Sequence, residues 1–214
     1  MVKTVSYEHQ NTYELLYPIT DQTENIWVCF HGLGYLATYF KRYFTKLDSQ
    51  KNAVIVLQAP SKFYIDKGFK NVGACWLTRV DTAQEMQNNL AYINHVLRQE
   101  RVLEDPRLVL FGYSQGVSIA TRFLAQHTQP IKALIMHSGS IPAELDEQTA
   151  KHFKKHCDRF IHIVGLRDEY LNDEVVAIEK KKLEMLFGTA CEIHTPDITH
   201  EVAVSLLEEI AQTL

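Results

Sequence analysis

The chain has 214 residues, 46% hydrophobic and 22% charged, which suits one domain over 1–214 with a sizeable core. A net charge of −4 gives no electrostatic case for nucleic acid or an acidic membrane surface. No apolar run approaches the roughly 20 residues needed to span a bilayer, so stable membrane insertion is not expected.

The first residues, Met1 to His9, lack the apolar core of a signal peptide. Cys29, Cys75, Cys157 and Cys191 are scattered without metal or disulfide spacing. Together these features point to a cytoplasmic protein whose thiols are reduced and mostly buried.

In chain order, residues 3–8 and 12–17 read as two edge strands of an antiparallel hairpin ended by Pro18. Ile26–Phe30 is a buried strand that runs into His31-Gly32-Leu33-Gly34. Two glycines directly after a buried strand let backbone pass close to a bound group. The amide of Leu33 is the candidate second donor to an oxyanion there, and His31 is expected to hold the loop by hydrogen bonds. Residues 35–47 read as a helix with aromatics on more than one face, and residues 53–58 as a buried strand stopped by Ala59-Pro60. Residues 61–77 lack periodicity but carry Phe63, Tyr64, Phe69 and Trp76, as expected of an irregular loop that walls a substrate site. Residues 82–99 form a helix with a core stripe of Ala83, Met86, Leu90, Ile93 and Leu97, on which His95 is a bystander.

Residues 107–120 organise the rest. The continuous apolar run Leu108–Phe111 reads as a parallel strand covered on both faces. Gly112-Tyr113-Ser114-Gln115-Gly116 then fits a tight strand-to-helix turn, G-x-S-x-G, that lifts a serine hydroxyl above a helix N-terminus. The small flanking residues are needed because the helix returns close to its strand. The amide of Gln115 is aimed where an oxyanion would develop.

Further strands are expected over residues 132–137, 160–164 and 190–194, with helices over 147–156, 172–187 and 201–214. His152, His156 and Cys157 lie among lysines with no further cysteine nearby, so no metal site is expected. Alternation of strands and helices argues for a mostly parallel sheet with helices on both faces and functional loops at the C-terminal strand ends.

Three polar residues follow three different strands in the order Ser114, Asp168, His200. That is the order of the α/β-hydrolase fold, with no separate lid domain expected here. A serine hydroxyl needs a base during attack, an imidazole supplies one near neutral pH, and a carboxylate fixes the imidazole tautomer. His31, His137 and His194 are rival bases; Glu169, Asp173 and Asp197 are rival acids.

These pieces resemble the phospholipase/carboxylesterase family of small α/β-hydrolases, which includes the acyl-protein thioesterases. The resemblance rests on His31-Gly32-Leu33-Gly34, Gln58-Ala59-Pro60, Gly112 to Gly116, Val164 to Asp168 and Thr199-His200-Glu201. It implies hydrolysis of acyl esters or thioesters without metal or organic cofactor. It also implies Ser114, Asp168 and His200 as the triad and Leu33 and Gln115 as the oxyanion hole. Tyr35, Cys75-Trp76-Leu77-Thr78 and Val117 depart from the family pattern around the acyl pocket. Tyr35, Phe69 and Trp76 are therefore the expected substrate contacts. The expected partner is a small or medium acyl ester, acted on by a monomer or homodimer. An acyltransferase using the same acyl-enzyme, or a hydrolase-like binding protein without turnover, are the alternatives.

Overall fold

The protein is described by a computed structural model over residues 1–170 and 173–214. In chain order the elements are β1 (Tyr13–Leu16), β2 (Asn25–Phe30), α1 (Ala37–Phe40), β3 (Asn52–Leu57), β4 (Ser61–Tyr64), β5 (Val72–Cys75) and α2 (Thr82–Gln99). They continue with β6 (Leu108–Tyr113), α3 (Gln115–Leu124), β7 (Ile131–His137), α4 (Glu147–His156), β8 (Cys157–Ile163), α5 (Asp173–Phe187), β9 (Cys191–His194) and α6 (Val204–Thr213).

The central sheet has the order β1-β3-β2-β6-β7-β8-β9, and β1 alone runs antiparallel to its neighbour. Period-two alternation sorts the strand side chains into two cores. Ile26, Val28, Phe30, Leu108 and Leu110 face the core shared with α2, α3, α4 and α5. Trp27, Cys29, Val109 and Phe111 face Phe40, Phe44, Leu207 and Ile210, which come from α1, the turn after it and α6. The fold is thus a mostly parallel sheet covered on both faces, an α/β-hydrolase fold, as the alternation of elements predicts.

Several boundaries differ from those read in the sequence. Residues 3–8 form no strand; β1 instead pairs with β3, Tyr13 opposite Leu57. A sheet edge already buried on its faces offers a better partner than a free hairpin, which is marginal in water. Residues 61–77 are ordered into a β4–β5 hairpin, Ser61 opposite Cys75. Every residue of β4 is exposed, so no apolar alternation marks it. Its tip is closed by the Asp66 carboxylate, which accepts from the amides of Gly68 (2.8 Å) and Asn71 (2.6 Å).

The helix expected over 35–47 is one α-turn followed by a 3₁₀ turn, Lys41–Phe44, which puts Phe40 and Phe44 into the core. The α2 boundaries match the sequence reading, but Ala83 is exposed and Val96 takes its place in the stripe. Asn172, the expected start of the next helix, lies outside the described residues. The last helix starts at Val204 rather than at residue 201, and the amide of Ala203, at its N-cap, donates to the buried His137 Nε2 (3.0 Å). All four cysteines are free, and three are buried.

Candidate active site

β6 ends in the turn that carries Ser114, whose φ of 52° and ψ of −118° lie outside the usual regions for a non-glycine residue. The strain is held in place from two sides. The Ser114 amide donates to the His137 carbonyl (2.8 Å), and the Ser114 carbonyl accepts from Val117 (3.1 Å). Tight packing explains the glycines. A Cβ on Gly116 would stand 1.9 Å from the Phe30 carbonyl oxygen, and one on Gly112 would meet the Val117 Cα at 2.6 Å. Gly139 is a third small residue of this kind, 2.1 Å from the Ser114 carbonyl oxygen by the same measure.

The structure brings Ser114, His200 and Asp168 into one hydrogen-bonded chain. His200 Nδ1 lies 2.8 Å from Asp168 Oδ2, and His200 Nε2 lies 3.1 Å from Ser114 Oγ. A carboxylate only accepts, so Nδ1 carries the proton and Nε2 is free to accept from the serine hydroxyl. The Asp168 side chain is 1% exposed, while that of His200 is 18% exposed. The other Asp168 oxygen accepts from the Tyr170 amide (3.1 Å). Of the rival acids, Asp197 is tied to Arg167 on the surface (2.6 Å) and Glu169 is exposed; the Asp173 side chain lies outside the described residues.

Two of the three rival bases, His31 and His137, are spent elsewhere. His31 is buried, donates from Nδ1 to the Gly32 carbonyl (2.8 Å) and accepts at Nε2 from Ala59 (3.1 Å). Burial pushes its pKa down to about 4. It is therefore a loop brace, as the sequence suggests. His137 accepts from Ala203 and donates to Ser138 Oγ (3.1 Å); burial, helped by the nearby His200, pushes it down to about 3. His194 sits at the far end of β9, at 4.0 Å from Glu192.

The loop after β2 lies against the serine: a Cβ on Gly32 would be 3.1 Å from Ser114 Cβ. Gly34 and Tyr35 are pinned to the hairpin, with Gly34 N donating to Ala74 O (2.9 Å) and Ala74 N to Tyr35 O (3.1 Å). Just before them, the amide of Leu33 has no hydrogen-bond partner among the described residues. Gln115 opens α3, where the first amides of a helix have no partner within it. Its side chain is fully engaged: Oε1 accepts from the Trp76 amide (2.9 Å) and Nε2 donates to the Leu77 carbonyl (2.8 Å).

The three expected aromatic contacts are placed very differently. Trp76 is 0% exposed and its indole donates to the His31 carbonyl (2.9 Å), so it supports the site from within the core. Tyr35 is half-buried, edge-on to Tyr113 and hydrogen-bonded to Tyr43 (3.2 Å). Phe69 is 71% exposed on the hairpin tip, edge-on to the Tyr64 ring at 5.3 Å. Two residues that sequence reasoning passed over stand next to His200: Tyr113 and Tyr170. The aromatic at the first variable position of G-x-S-x-G is the one available signal for Tyr113. Among the described residues no group of histidine, cysteine, aspartate or glutamate is arranged to hold a metal ion.

A strained serine at the end of a central parallel strand, with an imidazole and a buried carboxylate arriving from later strand ends, defines an α/β-hydrolase. More narrowly, the chain belongs to the phospholipase/carboxylesterase family, whose model matches residues 16–214. Membership supports a hydrolase of the phospholipase/carboxylesterase type. A search of curated proteins finds no match. Among solved structures, acyl-protein thioesterase 2 of Zea mays superposes with a TM-score of 0.70 at 14% identity, covering 95% of this chain and 97% of that one. The carboxylesterase of Bacillus cereus gives 0.65 at 14% identity, with 95% and 92% covered. A phospholipase/carboxylesterase of Dyadobacter fermentans gives 0.62 at 14% identity, with 97% and 99% covered. At these identities the likeness is one of fold. No helix of the described residues is long and apolar enough to cross a membrane.

Proposed function

We propose that the protein is a serine carboxylesterase that cleaves small to medium acyl esters through an acyl-enzyme on Ser114. The hydrogen-bonded chain Ser114–His200–Asp168 is the observation that carries this reading. Ser114 Oγ attacks the ester carbonyl carbon as His200 Nε2 takes the hydroxyl proton. The carbonyl oxygen becomes an oxyanion, for which the uncommitted amides of Leu33 and Gln115 are the donors. Collapse expels the alkoxide, which takes the proton back from His200. Water, deprotonated by the same Nε2, then attacks the acyl carbon, and the acid and free Ser114 are released. Asp168 holds the tautomer and stabilises the imidazolium at each step.

Phe69 is the aromatic assigned here to the acyl chain, since it alone of the three offers open surface. Trp76 and Tyr35 act behind it by fixing the hairpin and the loop after β2. A cytoplasmic site of action is supported by four unpaired thiols. The same steps open a thioester, with a thiolate in place of the alkoxide as leaving group.

The test is fluorophosphonate labelling with mass spectrometry of the modified peptide, beside p-nitrophenyl esters from acetate to palmitate and their thioester counterparts. One adduct on Ser114 with ester turnover is expected, and Ser114→Ala should lower kcat by about 10⁶-fold with folding intact. Folded protein with neither adduct nor turnover would overturn the esterase reading in favour of a binding protein. Transfer of the acyl group to an added alcohol in place of water would make it an acyltransferase.

A further inference from the structure

His200 stands between two tyrosine rings. Tyr113, 1% exposed, lies beneath it with ring centroids 5.3 Å apart and planes tilted by 38°. Its phenol donates to the His200 carbonyl (2.9 Å). The same ring meets His137 edge-on at 5.4 Å, and His137 Nε2 holds the Ala203 amide three residues further along. The backbone that presents the base is therefore gripped at residue 200 and again at residue 203. On the solvent side, Tyr170 packs edge-on against His200 at 4.7 Å although it is 68% exposed. Its amide is also the second partner of Asp168.

An exposed ring adds little to core stability, so packing against the imidazole is the contact of Tyr170 that calls for a reason. The base must accept the Ser114 proton without first searching rotamers, and it becomes an imidazolium as it does so. Aromatic groups on both sides restrict the ring, and the face offered by Tyr113 favours a developing cation.

From this geometry we infer that Tyr113 and Tyr170 are positioning residues for His200, the first fixing its backbone from below and the second fixing its imidazole from above. The inference rests on Ser114, His200 and Asp168 acting as the triad.

The test compares wild type, Tyr113→Phe, Tyr170→Ala, Tyr170→Phe and Ser114→Ala, each checked by circular dichroism. The readouts are kcat and KM on p-nitrophenyl butyrate and the second-order rate of fluorophosphonate labelling. Tyr113→Phe and Tyr170→Ala should each lower kcat about three- to tenfold, the range that one hydrogen bond or one aromatic pair supports. KM should stay unchanged, labelling should slow by the same factor, and Tyr170→Phe should restore both rates. If kcat survives in either single variant while Ser114→Ala is inert, the inference fails for that tyrosine and the triad stands. A change in KM alone for Tyr170→Ala would make Tyr170 a substrate wall and overturn its positioning role. If Ser114→Ala keeps turnover, the triad reading fails and this inference fails with it.

Discussion

His31 and His137 have no exposed surface and use both ring nitrogens on fixed partners. Each is held neutral in the folded protein, with pKa values pushed down to about 4 and about 3, against roughly 6.5 when unfolded. Below pH 6.5 the unfolded chain therefore binds more protons than the folded one. Their contribution to stability is whole above that pH and is lost as pH falls towards 4 and 3. Each histidine should cost about 1.4 kcal/mol per pH unit in that window. Melting curves should show a Tm that is flat between pH 7 and pH 8 and falls steeply from pH 6 to pH 4. His31→Gln should shallow that fall, and a slope unchanged in the variant would deny His31 the role. At the same scale, Asp168→Asn should keep the fold and drop kcat by about 10⁴, because an amide there favours the wrong tautomer of His200. Near wild-type turnover in that variant would place the acid elsewhere.

Elements differ in how openly their sequence declares them. The strands β2, β3, β6 and β7 are continuous apolar runs because both faces are covered, and such runs can be read directly. The β4–β5 hairpin has one strand with no buried residue, so its order comes from backbone pairing and a carboxylate at its tip rather than from a pattern of side chains. Residues 3–8 show the converse, with strand-like composition and no strand formed. Ser114, Asp168 and His200 were readable because each follows a strand end and their order is diagnostic. Tyr113 and Tyr170 were not, because a ring meets an imidazole only once two loops have taken their course. The elbow between β6 and α3 gives a sharp test of packing. Gly116→Ala forces a methyl into the Phe30 carbonyl and should destabilise by about 3 kcal/mol or more. Gly188→Ala has open space around it and suffers only from a φ of 58°, so about 1 kcal/mol is expected. Urea midpoints that rank these two variants the other way would refute the packing account.

Across the whole molecule, the cores on the two sides of the sheet seal the thiols. Burial pushes Cys29 up strongly, and Cys157 and Cys191 up to about 12. A thiolate is the reactive form, so the buried Cys29 and Cys157 should react with a disulfide reagent such as DTNB only as fast as the protein unfolds. Reductant should leave Tm unchanged, because no disulfide contributes to the fold. Rapid native labelling of Cys29 would show that the sheet opens locally. The sheet order also divides the labour between the two halves of the chain. β6, β8 and β9 lead to the candidate nucleophile, acid and base, while the loop after β2 carries the candidate anion donor.

Gln115 joins those halves mechanically. Its amide is the proposed oxyanion donor, and its side chain grips the base of the hairpin at Trp76 and Leu77. A bulky group that levers the hairpin outward pulls on the residue whose backbone must stay still for the reaction to proceed. Fit at the hairpin tip is then felt as speed rather than as tightness. Natural variation in that tip would be selected through turnover, and two enzymes with the same affinity for a substrate could differ widely in how quickly they consume it.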